Sequence, residues 1–172
     1  MIPVFFCLRH DHSASQYKGV LDSLKRQTVP CNPIEVKTQG GSENTHRTYS
    51  LARQQSEAEC RRLIFTAMSI LPDKYACMSD NDNDHLLTTN IADLIKHMDE
   101  HDKCGAVALH WKGPKHPDIG FAIYRVEMVQ KMDIPVPVNK YGSCMCEEVR
   151  EAVEATGYTF DKLDNLKRIW EH

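Results

Sequence analysis

Apolar positions fall along this chain in two kinds of run. Residues 2–8, IPVFFCL, are continuously apolar, as a strand buried on both faces requires. The polar stretch RHDHSAS follows, and Ser13 or Ser15 stands where it could cap a helix. Tyr17, Val20, Leu21 and Leu24 then recur at helical spacing, predicting a helix to about Gln27 that VPCNP breaks. IEVKT (34–38) reads as a second strand and QGGSENTH as a long polar loop. A long helical stretch is expected from about Thr48 to Ile70, with Leu63, Ile64, Ala67, Met68 and Leu71 on one face.

After an LPDK turn, YACMS reads as the third strand. Residues 88–101 predict a helix with Ile91, Leu94, Ile95 and Met98 as its buried stripe, capped by Asp84 or Thr88. CGAVALHW (104–111) is expected as a fourth strand, KGPKHPD as a loop and IGFAIYR (119–125) as a fifth strand. VEMVQKM is a short helix, DIPVPVNKYGS an irregular loop, and CEEVREAVEATGY a helix with Gly157 as its C′ glycine. Residues 161–170 are charged and read as helical.

Strand and helix thus alternate through most of the chain. That order predicts an α/β fold, with a mainly parallel central sheet covered by helices on both faces. Ligands of such sheets bind beyond the carboxyl ends of the strands. Two polar clusters fall at such ends: Arg9, His10 and His12 after the first strand, and Asp80, Asp82 and Asp84, alternating with Asn81 and Asn83, after the third.

Composition narrows the class. The 172 residues suit a single domain, 1–172, with no internal repeat, low-complexity segment or linker. Apolar residues make up 41% and charged residues 26%, as in ordinary globular chains. A formal net charge of −3 argues against a generic basic nucleic-acid-binding face. The seven cysteines are odd in number, and Cys7, Cys77 and Cys104 lie in apolar runs, where free thiols act as small hydrophobes. MIPVFFCLRHDH lacks the basic region and long apolar run of a signal peptide, and no stretch is long enough for a membrane span. The expectation is a reduced, cytoplasmic protein.

Carboxylates two residues apart can converge on one hard cation, and Mg²⁺ or Mn²⁺ prefers such oxygen ligands. The bland alternative is a solvated acidic turn before a helix. An EF-hand loop is excluded, because positions six and twelve would be His85 and Ile91 instead of Gly and Glu. His97, His101 and Asp102 evoke the His-Asp pair of helical metal phosphohydrolases, which the many strands contradict. Histidines near a helix C-terminus are otherwise simply favourable to its dipole. Cys144-x-Cys146 without a second pair is a weak zinc signal.

The order of these pieces resembles the family 2 glycosyltransferases, which have the GT-A fold. The match runs over roughly residues 2–160: an opening strand and polar loop (IPVFFCLRHDH), a helix ending L-x-x-L-x-x-Q (LDSLKRQT), and a strand leading to a D-x-D (YACMSDND). A later strand and helix, GFAIYRVEMVQKM, and an acidic pair opening a helix, EEVREAVEATGYTF, complete it. The resemblance implies a metal-dependent, inverting transfer of a sugar from a nucleotide-sugar donor to an acceptor hydroxyl. Asp80, Asp82 and Asp84 would serve Mn²⁺ or Mg²⁺, with Asp82 the direct ligand. Arg9, His10, Gln39, Arg61, Arg62, Asp80 and Asn81 would face the donor, and Trp111 the acceptor. Glu148 or Glu147 would be the general base.

The chain departs from the family at its second strand, where Gln39 and Gly40 stand in place of an acidic pair. The family's Ala-Arg-Asn matches either Arg53 or Arg61 and Arg62, and spacing to the D-x-D favours the latter. The acceptor stays open between a glycan, a lipid-linked sugar, a protein and modified DNA. Two rivals stand beside this reading: a nucleotidyltransferase on a related sheet, and a non-catalytic nucleotide-sugar-binding module. The glycine-free RHDHSAS loop counts against the first.

Overall fold

The structure is a computed structural model, and it describes residues 1–8, 14–37, 58–80, 89–136 and 145–163. Within these, β1 (Ile2–Leu8), α1 (Ala14–Leu24), β2 (Cys31–Lys37), α2 (58–68) and β3 (Tyr75–Asp80) come first. Next come α3 (Ile91–Glu100), β4 (Cys104–Ala108), β5 (Trp111–Gly113), β6 (His116–Pro117) and β7 (Phe121–Arg125). The last are α4 (Val126–Lys131), α5 (Cys146–Ala155) and β8 (Thr159–Lys162).

Six of the described strands form one sheet in the order β2-β1-β3-β7-β4-β8, and β5 pairs with β6 in a separate hairpin. The β1–β2, β1–β3 and β4–β8 pairs are parallel, whereas β7 is antiparallel to both β3 and β4. All five others therefore run the same way, and their carboxyl ends share one edge. The mainly parallel sheet expected from the sequence is present, with one reversed strand that the apolar run at 119–125 did not announce.

Period-two alternation splits the core into two layers. Phe5, Cys7, Ala76, Met78, Ala106, Ala108, Ala122 and Tyr124 face one side, under Ile64, Phe65 and Met68 of α2, Met128 of α4 and Val149 and Val153 of α5. Val4, Phe6, Tyr75, Cys77, Val107, Phe121 and Ile123 face the other, under Val20 and Leu24 of α1 and Ile91, Leu94 and Met98 of α3. Strands buried on both faces explain the near-continuous apolar runs.

Three local differences from the sequence expectation have physical reasons. The fourth strand stops at Ala108, and Trp111 instead opens the hairpin occupying the expected KGPKHPD loop. Asp118 N–H, donating to the His110 carbonyl at 2.8 Å, closes the base of that hairpin. Residues 159–162, partly expected as helix, form an edge strand, because Phe160 fills the core beside Trp111 and Tyr124. The second strand starts at Cys31 rather than after Pro33; on an edge a proline's missing donor is tolerated.

Helix α3 is capped by Asn90, whose side chain accepts from Ala92 N–H, rather than by Asp84 or Thr88. Gly157 is left-handed at φ +86°, as expected of a helix-ending glycine, and its N–H donates to the Glu154 carbonyl.

Gly105 is required by close approach. A Cβ there would fall 2.7 Å from Tyr158 Cβ and 2.9 Å from Met128 Cγ. Gly105→Ala is expected to destabilise the fold by about 1–3 kcal/mol through overpacking. Urea unfolding with an unchanged m-value checks this, and wild-type stability would mean that Tyr158 and Met128 can retreat.

Candidate functional site

The site is built at the carboxyl edge of the sheet. Asp80 is the last residue of β3, paired in register with Cys7 of β1. Its backbone N–H donates to the Gly120 carbonyl at 2.7 Å, at the entrance to β7. Its side chain turns to the α2 side of the sheet, as the alternation from Ala76 and Met78 dictates. There Arg61 Nη2 donates to both carboxylate oxygens, at 3.1 and 3.4 Å. Arg61 is 5% and Asp80 7% exposed, so each charge is out of water and depends on the other.

Arg62, one residue on, is exposed and does not share that buried face. The sequence grouped both arginines as donor-binding; the fold brings only Arg61 to the first acid. The Cys60 thiol beside it and burial push the Cys7 thiol far above its ordinary range. Cys7 therefore stays protonated beneath Asp80 and adds no charge there.

Gln27 explains the L-x-x-L-x-x-Q pattern. Its side-chain Nε2 donates to the Thr89 carbonyl at 2.9 Å, and its Oε1 accepts from Ile91 N–H at 2.7 Å. Thr28 Oγ1 donates to Asn90 Oδ1 at 3.0 Å. The end of α1 thus fixes where the chain re-enters α3 after the acidic segment.

On the same edge, the β5–β6 hairpin extends from the carboxyl end of β4. Helix α5 packs against it, with Arg150 Nε donating to the Lys115 carbonyl at 3.0 Å. Glu147 and Glu148 lie in the first turn of α5. Glu147 is exposed and sits 3.4 Å from His116 Nδ1, whereas Glu148 is half-buried. Met145, which precedes the helix, has φ 58° and supplies no side-chain cap.

Tyr124 of β7 pairs in register with Ala76 and Ala106, back from this edge. Burial pushes its hydroxyl well above its usual range although Arg61 opposes the shift, and Oη has no hydrogen-bond partner among the described residues. Asp118, not singled out in the sequence, shapes the entry to β7: Oδ1 accepts from Gly120 N–H at 3.0 Å. The Pro-Asp before Ile-Gly was the available signal for that turn.

Trp111 is half-buried and meets Phe160 edge to face at 6.0 Å, so part of its indole belongs to the core. Arg9, His10, His12, Gln39, Asn81, Asp82 and Asp84 lie outside the described residues. The helical phosphohydrolase idea for His97, His101 and Asp102 fails on the six-stranded sheet.

A mostly parallel sheet flanked by helices, with one strand reversed, is an α/β fold of the GT-A type. Solved structures with this architecture bear out the assignment of fold. "A197 from STIV" is similar at TM-score 0.55 and 12% identity, over 98% of this chain and 84% of that one. A cytidylyltransferase from Leptospira borgpetersenii serovar Hardjo-bovis is similar at TM-score 0.54 and 11% identity, over 96% and 76%. A glycosyltransferase involved in glycosylating the major capsid of PBCV-1 is similar at TM-score 0.53 and 10% identity, over 95% and 82%. No family model and no curated protein sequence matches the chain.

Arg61→Ala would leave the Asp80 carboxylate buried without its guanidinium. It is expected to cost about 3–5 kcal/mol, against less for the double replacement Arg61→Met with Asp80→Leu. Denaturant unfolding of the three proteins checks this, and equal losses would mean the charges do not depend on each other.

Proposed function

We propose that the protein is a glycosyltransferase that moves a sugar from a nucleotide-sugar donor to an acceptor hydroxyl. The observation that carries this reading is the convergence, on one edge of a GT-A-type sheet, of Asp80 held by Arg61 and of the acidic first turn of α5. With Asp80 committed to Arg61, the remaining acids, Asp82 and Asp84, are the oxygen donors for a cation. That donor set fits a hard ion such as Mg²⁺ or Mn²⁺, which would supply Lewis-acid stabilisation to a leaving diphosphate. Asp80 then acts by fixing the start of the acidic segment, and Gln27 by fixing its end.

Glu148 is the preferred general base, since Glu147 is already drawn to His116. It takes the acceptor proton as the hydroxyl attacks the anomeric carbon from the face opposite the nucleotide. A single displacement of this kind inverts the anomeric centre. Arg9 and His10 follow β1 in the chain and Gln39 follows β2, and they would serve the donor; Trp111, in the hairpin, would face the acceptor. Arg62, being exposed, is free to meet the donor, whereas Arg61 acts through Asp80. A glycan, a lipid-linked sugar, a protein or modified DNA remains open as acceptor, and no described helix is long and apolar enough to cross a membrane.

Thermal unfolding against nucleoside diphosphates, triphosphates and nucleotide sugars, with and without Mn²⁺, tests the reading. A ligand at a hundredfold over its dissociation constant adds roughly 2.7 kcal/mol, or a shift of several degrees. The expected result is a Mn²⁺-dependent shift with one nucleoside diphosphate and its sugar, lost in Asp82→Ala. A shift confined to triphosphates would replace the proposal with nucleotidyl transfer. A sugar nucleotide bound without any turnover, over a panel of acceptors, would replace it with a binding module.

A further inference from the structure

At the opposite end of the sheet, three side chains of different chemistry converge. His97 lies in the last turn of α3, Cys104 opens β4, and Asp161 lies in β8. One ligand atom from each lies within 4.8 Å of the other two. His97 Nε2 is 2.8 Å from Asp161 Oδ2, and the Cys104 thiol donates to the Ala106 carbonyl at 3.5 Å.

The convergence depends on an irregularity in β4. Regular pleating would aim Cys104 and Ala106 to one face. The β4–β8 register shifts between them, so Ala106 joins the layer under α2 while Cys104 turns to the α3 side with Val107. A bulge re-aims a side chain in just this way. Asp161 pairs with Val107 and shares its face, which brings the carboxylate to His97.

The immediate surroundings hold these groups in place. His101 stacks on His97 at 4.2 Å, and its Nδ1 is 2.8 Å from the His97 carbonyl. Arg125 Nε donates to the Cys104 carbonyl at 3.0 Å and its Nη2 to the Met98 carbonyl at 2.6 Å. Thr159 Oγ1 donates to Asp161 Oδ1 at 2.7 Å.

A His–Asp ion pair alone would explain two of the three groups, but not a thiol turned by a bulge toward the same carboxylate. A divalent cation accounts for all three. We propose that His97, Cys104 and Asp161 form a Zn²⁺ site that clips the edge strand β8 to α3 and β4. Imidazole, thiolate and carboxylate are zinc ligands, whereas Mg²⁺ and Mn²⁺ take oxygen sets such as the acids at the other edge. Tetrahedral zinc holds such ligand atoms roughly 3.3–3.8 Å apart, so the His97–Asp161 contact opens slightly to admit the ion. Zn²⁺ takes the place of the Cys104 thiol proton, which leaves to solvent, and thiolate and carboxylate neutralise the ion. Cys104 is fully buried, while the His97 and Asp161 side chains are 19% and 25% exposed, so the fourth position points to water past those two.

The test titrates the chelator-treated chain with Zn²⁺ alone and with Co²⁺ alone. One Zn²⁺ per chain, a raised melting temperature, and a thiolate-to-cobalt charge-transfer band with tetrahedral visible bands are expected. Cys104→Ser should abolish the charge-transfer band, and Asp161→Asn and His97→Gln should each weaken Zn²⁺ binding about tenfold or more. Asp82→Ala should leave the cobalt spectrum unchanged, which separates this site from the proposed donor site. Absence of the band in the wild type, its persistence in Cys104→Ser, or its loss in Asp82→Ala would overturn the proposal. Should Cys104→Ser not fold, unchanged affinity in both Asp161→Asn and His97→Gln would overturn it instead.

Discussion

Strand β7 is bonded on both edges to strands that run against it, and the candidate site and the proposed metal cluster lie towards its two ends. At its entrance the Gly120 carbonyl takes the Asp80 N–H, and Asp118 shapes the turn that presents that carbonyl. At its exit Arg125 gathers the carbonyls of Met98 and Cys104 and lies 5.5 Å from the centre of the Tyr75 ring. Between them Tyr124 packs edge to face on Phe65 and Phe160. A five-residue strand thus spans from the carboxylate edge to the thiol edge, and a slip of one residue would turn Tyr124 and Arg125 to the wrong layers.

The layered architecture was legible in the sequence because strands buried on both sides leave continuous apolar runs, and IPVFFCL, YACMS and CGAVA are such runs. Helix α3 was equally legible from its Ile91–Leu94–Met98 stripe. The direction of β7 was not, because a parallel and an antiparallel central strand are equally apolar. Strand β8 was missed because only Phe160 of its four residues is buried, leaving no periodicity to read.

The candidate site was legible in kinds of residue rather than in partners. The D-x-D and the Glu147–Glu148 pair were visible as motifs, and spacing pointed to Arg61 over Arg53. That Asp80 is spent on Arg61 is a tertiary fact, fixed by which face of β3 meets α2. The cluster of His97, Cys104 and Asp161 had no local signature at all, since its members come from a helix, a bulge and an edge strand, with the aspartate 64 positions beyond the histidine.

The two outer strands also bear on how the molecule behaves in a crowd. Among the described strands, β2 and β8 close the sheet, and an open edge is a template on which a second chain can grow. On β2, Pro33 withholds a backbone donor and Glu35 is exposed and charged. On β8, four residues offer only a short ladder, and two of them carry charge. The same edges that frame the sheet therefore make it a poor seed for aggregation, which favours a chain that can be concentrated without stacking strand upon strand.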